Sequence, residues 1–339
     1  MAYSLALFDL AGAPVADPAP FASATARWEL DGPGSLEVTL REAQASPAWL
    51  AGRRRVELRR DGVPVWGGWL LGLEASFDPD EGASWTARAL GYAAPLERRF
   101  VLSDLVFEAT PATTIAWQLV QHVQSQPDGD LGITLGTVVG TAPSLTRRYC
   151  APVNLLEAID ELASREPGGF DWEVDARRRL NMWVGGRGTD RRASVSFGPG
   201  DLRETRVGED RAELATYATA VPPDEGPCSP PPLTRAGPIA SGHLRQDVLV
   251  DAEDGAAAEL EARADHEAKV ASRSRLRLEG TYEEGRAPAG FASLELGDTV
   301  TARLPQVFGG DTAVRLISRG LSLESRAVHF WSVEFEVVA

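Results

Sequence analysis

Asp171, Glu173 and Asp175 alternate along the segment FDWEVD, so a strand there would set three carboxylates on one face. Carboxylates grouped in this way can hold a hard cation or work as an acid/base pair. Alternation alone gives the same pattern on the wet face of any half-buried strand, and we read these three as a solvated face. The four histidines, His122, His243, His266 and His329, have no HxxxH or HExxH spacing for zinc. Gly185-Gly186-Arg187-Gly188 has the glycines of a phosphate-cradling loop. It fits neither GxGxxG nor GxxxxGK[ST], no helix follows, and a turn between strands is expected. There is no GxSxG elbow. Cys150 and Cys228 lie far apart outside any CxxC arrangement, which suits a reducing compartment and two inert thiols. No catalytic residue, cofactor or metal is expected, and the chain reads as a non-enzyme.

The chain has 339 residues, 43% of them hydrophobic, which is enough for two or three ordinary cores. No apolar run of 18 residues appears and the N-terminus lacks a basic leader, so neither a membrane span nor export is expected. A formal charge of -15 opposes duplex DNA binding as the main task, because affinity for phosphate comes from clustered cations. Two short basic runs, Arg53-Arg54-Arg55 and Arg177-Arg178-Arg179, stand out against that acidity. They are solvated turn residues or, as a function, subunit-interface residues that meet acidic surface on a neighbour. Nine tryptophans in such a chain point to large packed surfaces, since buried interfaces favour aromatic residues and arginine.

The elements that must position these residues centre on the segment 55–77. Val56 and Leu58 alternate with Glu57 and Arg59, Asp61-Gly62 supplies a two-residue hairpin turn, and a long apolar return follows. In the return, Val65, Trp69, Leu71 and Leu73 share one side and Trp66 and Leu70 the other, so cover on both sides is expected. Gly67-Gly68, flanked by Trp66 and Trp69, marks a bend or close backbone approach, read as the corner of a small barrel. Strands are also expected over 4–9, 27–40 with a break at Asp31-Gly32-Pro33-Gly34, and 85–92. Thr110 as cap with Pro111 at the first helical position opens one helix, and Asn154 with Glu157 opens a second. Strands over 195–220 are expected to return to the first barrel. The proline-rich stretch 222–238 reads as an extended connector. An Ala/Glu-rich helix over 251–272, with Leu260, Ala264 and Val270 as its stripe, precedes a second all-β unit over 294–338. The expectation is a mainly β chain with an α+β insertion: a first barrel over 1–104, an α+β domain over 105–194, returning strands and connector over 195–250, and a helix with a second barrel over 251–339.

In order, GPGSLEVTL, RVELRRDGVPVWGGWLLG, ALGY, TPATTIAWQLV, NLLEAIDELA, FDWEV and LGDTV resemble the tail-hub proteins of long-tailed bacteriophages, whose fold is shared with contractile-tail baseplate hubs. The resemblance spans essentially the whole chain, and RDGxxVWGG is its most specific item. It implies a structural protein of the virion tail tip, assembled in the host cytoplasm: a homotrimer whose paired barrels form a ring of near-sixfold symmetry. Its implied partners are the distal tail or tail tube ring, the tape measure protein, and tip or receptor-binding proteins. DNA passes through such a ring without specific binding, and carboxylates lining the lumen would suit that passage. A hub of a contractile particle or gene-transfer agent is the alternative reading. A carbohydrate-binding β-protein that uses the tryptophans and the Asp171 face is a more distant one.

Overall fold

The structure is a computed structural model, and it describes residues 2–41, 54–78, 82–165, 168–210, 215–222, 232–238, 246–251, 257–271, 275–324 and 329–338. Two compact units emerge: Met1–Arg206 with Glu279–Ala339, and Val207–Leu278.

The larger unit opens with seven strands: β1 (Tyr3–Phe8), β2 (Pro14–Ala19), β3 (Ser23–Glu29), β4 (Ser35–Arg41), β5 (Arg55–Arg60), β6 (Val63–Asp78) and β7 (Gly82–Gly91). Asp61 (φ 50°) and Gly62 (φ 82°) make the β5–β6 turn with both central residues at positive φ, as a two-residue hairpin requires. An inserted layer follows: β8 (Phe100–Val101), β9 (Leu105–Pro111), α1 (Ala112–Gln124), β10 (Thr134–Val139), β11 (Ser144–Tyr149), β12 (Val153–Asn154), α2 (Leu155–Ala163), β13 (Phe170–Val174) and β14 (Arg179–Val184). Its core packs Ile115, Leu119 and Val123 of α1 and Ile159 and Leu162 of α2 against Phe170, Trp172 and Met182 of the β13–β14 hairpin. The cap of α2 is as expected, with Asn154 Oδ1 accepting from the Leu156 and Glu157 backbone at 2.9 and 3.2 Å. That of α1 is not. Thr110 belongs to β9, Pro111 is itself the cap residue with no side-chain bond, and the helix starts at Ala112.

The chain continues through β15 (Ser196–Phe197) and β16 (Arg203–Asp210) into the smaller unit, β17 (Tyr217–Val221), β18 (Leu233–Ala236), β19 (Asp247–Asp251) and α3 (Ala257–Ala271). There β17 lies between antiparallel β18 and parallel β19, and Leu260 and Ala264 of α3 pack on Ala220. Leu233–Ala236, expected to be connector, is therefore a paired strand, which its freedom from proline allows. The Val270 side chain lies outside the described residues. The final strands are β20 (Arg275–Glu283), β21 (Thr299–Arg303), β22 (Asp311–Glu324) and β23 (His329–Val337).

Two separate barrels are not what the strands build. Pairing runs through both modules as one thirteen-stranded sheet, β16-β20-β23-β22-β3-β4-β7-β6-β5-β1-β2, with β21 joining β22 and β15 joining β21. Among the described residues the end strands β2 and β16 do not pair with each other. The physical reason is the length of β22. One of its edges is taken by β23, while the other serves β21 over 311–315 and then β3 over 318–324, with a register shift between Leu316 and Ser318. The strands expected to return to the first module pair instead with the last one, β15 on β21 and β16 on β20. The second face of β6 is also not covered along its length, because Leu71 is 63% and Phe77 76% exposed.

Candidate functional site

Strand β13 turns Phe170 and Trp172 into the core of the inserted layer and Asp171 and Glu173 to its other face, with Asp175 just past its end. They are not a solvated face. Asp171 accepts from the Arg187 backbone N–H and from the guanidinium of Arg315 on β22, and Glu173 pairs with the Arg187 guanidinium. Asp175 accepts from the Arg177 and Arg179 backbone at 2.8 and 3.0 Å and from Arg179 Nε at 2.8 Å. Burial opposes its charge, but these hydrogen bonds outweigh burial and hold Asp175 below the usual carboxylate range. With their lone pairs committed to arginine and backbone, the three acids fasten elements together and offer a cation little. Among the described residues no group of three His, Cys, Asp or Glu could hold a metal ion.

Two further carboxylates complete the fastening. Asp31, at φ 56° in the β3–β4 turn, accepts from the Trp172 backbone N–H at 2.6 Å. Residue 31 is exposed as a whole, but enclosure of its carboxyl and the neighbouring Asp171 charge push it up to about 7. Asp298, 1% exposed, accepts from Thr189 N (2.8 Å), Thr189 Oγ1 (3.1 Å), Glu295 N (3.0 Å) and Arg191 Nε (2.9 Å). It joins the chain leaving β14 to the turn before β21. Beside it Gly188 and Gly297 cross: a Cβ on Gly188 would stand 2.1 Å from the Gly297 carbonyl carbon. The glycine run at 185–188 thus serves a backbone crossing, and Arg187 within it is held by Asp171 and Glu173.

These contacts border a cleft of about 590 Å³ whose walls are the β5–β6 hairpin, the β3–β4 turn, the β13–β14 turn and the segment before β21. Three tryptophans line it. Trp28 donates to the Val65 carbonyl (2.9 Å) and Trp66 to the Arg27 carbonyl (3.2 Å). Trp331, 7% exposed, stacks on Trp28 with ring centres 6.0 Å apart and carries the Arg319 guanidinium 3.8 Å from its centre. Little indole face is left on Trp331 for a sugar ring.

The other residues singled out by sequence are scattered. In β6, a Cβ on Gly67 would stand 2.5 Å from Tyr92 Cε2, and on Gly68 2.2 Å from the Leu90 carbonyl oxygen. Both glycines permit close approach, while the register shifts fall beside them, at Leu58/Arg59 and Leu70/Gly72. Trp66 is buried, and Trp69 meets Tyr92 edge-on at 5.8 Å. Arg55 is 7% exposed, over the Phe8 ring, and the Arg54 carbonyl accepts from Leu70 N at 2.9 Å. Arg178, at φ 60°, reaches the Leu131 carbonyl, Arg179 is tied to Asp175, and Arg177 is exposed. His122 contacts Ser103, His329 packs on Tyr3, and His266 is half-buried on α3. Cys150 is an exposed free thiol. Arg53, His243 and Cys228 lie outside the described residues. Sequence reasoning missed Asp31, Asp298 and Arg315, although the LGDTV segment that carries Asp298 had been singled out for its resemblance.

No protein-family model matches the chain, and no curated protein is detectably similar to it. Solved structures do match. The tail protein from Neisseria meningitidis MC58 superposes with a TM-score of 0.68 at 13% identity, over 99% of this chain and 97% of that one. The 43 kDa tail protein of prophage MuSo2 from Shewanella oneidensis gives 0.66 at 14% identity, over 99% and 97%. The E. coli c3393 protein, a type VI secretion component described as similar to the T4 tail proteins gp27 and gp5, gives 0.51 at 10%, over 95% and 74%. Over essentially its whole length, this chain has the fold of phage tail proteins and of their gp27-like relatives in type VI secretion.

Proposed function

We propose that the protein is the structural hub of a phage tail tip or baseplate, without catalytic activity. Three copies form a pseudo-hexameric ring that joins the tail tube or distal tail ring to the tip and surrounds the DNA exit channel. The observation that carries this reading is the pairing of β22 with β3. It holds the first and last strand modules of one chain in a single sheet, so that each of three subunits would bring two such modules to a ring. The fold likeness over 99% of the chain to two tail proteins supports it. Distal tail or tube proteins, the tape measure and tip or receptor-binding proteins are its partners in the virion, and assembly takes place in the host cytoplasm. No described helix is long and apolar enough to cross a membrane. A hub of a contractile injection particle is the second reading, favoured by the likeness to the type VI component. The carbohydrate-binding alternative loses support from the capped Trp331 ring and the arginine-paired acids. Native mass spectrometry tests the proposal: a trimer, alone or on a partner ring, is expected. A chain that stays monomeric with and without tail-tube protein would overturn it.

A further inference from the structure

The cleft bordered by Trp28, Trp66 and Trp331 holds an unbalanced charge. Arg60, Arg177, Arg179, Arg187 and Arg319 line it, against Glu29, Glu173, Asp175 and Glu295. Arg179 and Arg187 are neutralised inside it by Asp175 and Glu173, and Arg60 pairs with Glu284 at 3.5 Å. Glu29 is taken by Arg27 at 2.9 Å. Arg319 donates to the Leu294 carbonyl (2.8 Å) and to the Tyr282 hydroxyl (3.4 Å), neither of them an anion. Arg177 has no carboxylate partner for its guanidinium among the described residues, although its backbone is held by Asp175. Two arginines without counter-charge therefore face one unpaired acid, Glu295, in a chain whose overall charge is -15. A cationic recess on an acidic protein attracts carboxylates from a partner. Its volume lies within the range of pockets that enclose a ligand, and the partly exposed wall of Pro64 and Val65 adds an apolar surface.

We propose that this cleft docks an extended acidic segment of another protein, with a carboxylate set against Arg177 and an apolar side chain against Pro64 and Val65. A two-fold contact with a second copy would bring Arg177 toward its own equivalent; a head-to-tail contact between copies would not, and dissolution of an oligomer by an acidic peptide is the outcome that separates it from a different protein. The proposal goes beyond the hub reading and does not require it.

The test uses the whole chain and two capped peptides, one of alternating Asp and Phe and one with Lys in place of every Asp, titrated by calorimetry at low and moderate salt. The acidic peptide should bind at least about tenfold more tightly than the basic one and weaken as salt rises. Arg177→Glu should lower its affinity by about tenfold or more, and Arg177→Lys should keep most of it. The exposed Arg177 side chain holds no described partner, so the thermal melt of Arg177→Glu should match the parent, and calorimetry then reports binding alone. Equal binding of the two peptides, binding of neither, or a parent-like Arg177→Glu would overturn the proposal. So would an acidic peptide that dissolves an oligomer, which would make the occupant another copy of this chain. Native mass spectrometry reads the hub proposal separately, so the two can fail independently.

Discussion

At the scale of single residues, the molecule is fastened by carboxylates: Asp171 and Asp298 each serve several donors, and Asp31 takes one from 141 residues away. Asp31 can be read through pH. Its carboxyl is raised in the fold, so the folded state binds its proton more tightly than the unfolded state does. That contribution to stability is complete below the ordinary value near 3.8 and is lost as pH rises to about 7. Asparagine tolerates the same positive φ and can still accept from Trp172, but it does not titrate. Asp31→Asn should therefore gain melting temperature relative to the parent between pH 5 and pH 8. A parallel pair of pH profiles in scanning fluorimetry would count against this account. Gly68 offers a steric test, because its missing Cβ leaves room for the Leu90 carbonyl 2.2 Å away, whereas a Cβ on Gly72 in the same strand would meet nothing within 4 Å. Gly68→Val should cost about 2–3 kcal/mol and Gly72→Val about 0.5 kcal/mol or less, measured by urea unfolding. The glycine pair is visible in the sequence as an interruption of an apolar run. The partners of Asp31 and Asp298 are not, because Trp172 lies 141 residues from one and Thr189 109 from the other, and no local pattern carries that distance.

At the scale of elements, what could be read was what local chemistry dictates. The Asp61-Gly62 turn, the buried stripe of α1, the Asn154 cap and the alternation of β13 all come from neighbours within a few residues. Where local signals mislead, a competing constraint explains it. Strand β2 escaped notice because Pro14 and Pro18 argue against a strand, yet it lies at a sheet edge, where proline is tolerated. Pro111 fits the first turn of a helix, but Thr110 is engaged in β9 and its hydroxyl bonds the Glu108 carbonyl at 3.0 Å, so it cannot cap. The Asn154 cap lends itself to measurement. Its amide also donates to the Glu97 carbonyl at 2.7 Å, tying α2 to the turn after β7. Asn154→Ala should cost about 1–2 kcal/mol in chemical unfolding, and Asn154→Asp, which keeps the acceptor at a helix N-terminus, should recover much of it. Equal losses in the two variants would place the weight on the Glu97 contact instead.

At the scale of the whole molecule, charge bears on the proposed trimer. Each chain carries a formal -15, so three together carry three times that, and the proposed ring would have to form against its own repulsion. Salt should therefore favour assembly: in native mass or sedimentation measurements the trimer fraction should rise between about 20 and 200 mM salt, as screening shortens the reach of these charges. A trimer that disperses with added salt would point to attractive ion pairs holding it together. The joining of the two modules was the part of the fold least open to inference, because β22 and β3 lie some 300 residues apart and nothing near either announces the other. That shared strand has a mechanical consequence. A load applied to one module reaches the other through the backbone ladder of β22, with no tether to stretch and no pivot to turn about. The two modules can tilt or slide only as a single rigid lever, and in the proposed hub any movement would have to take place at its borders.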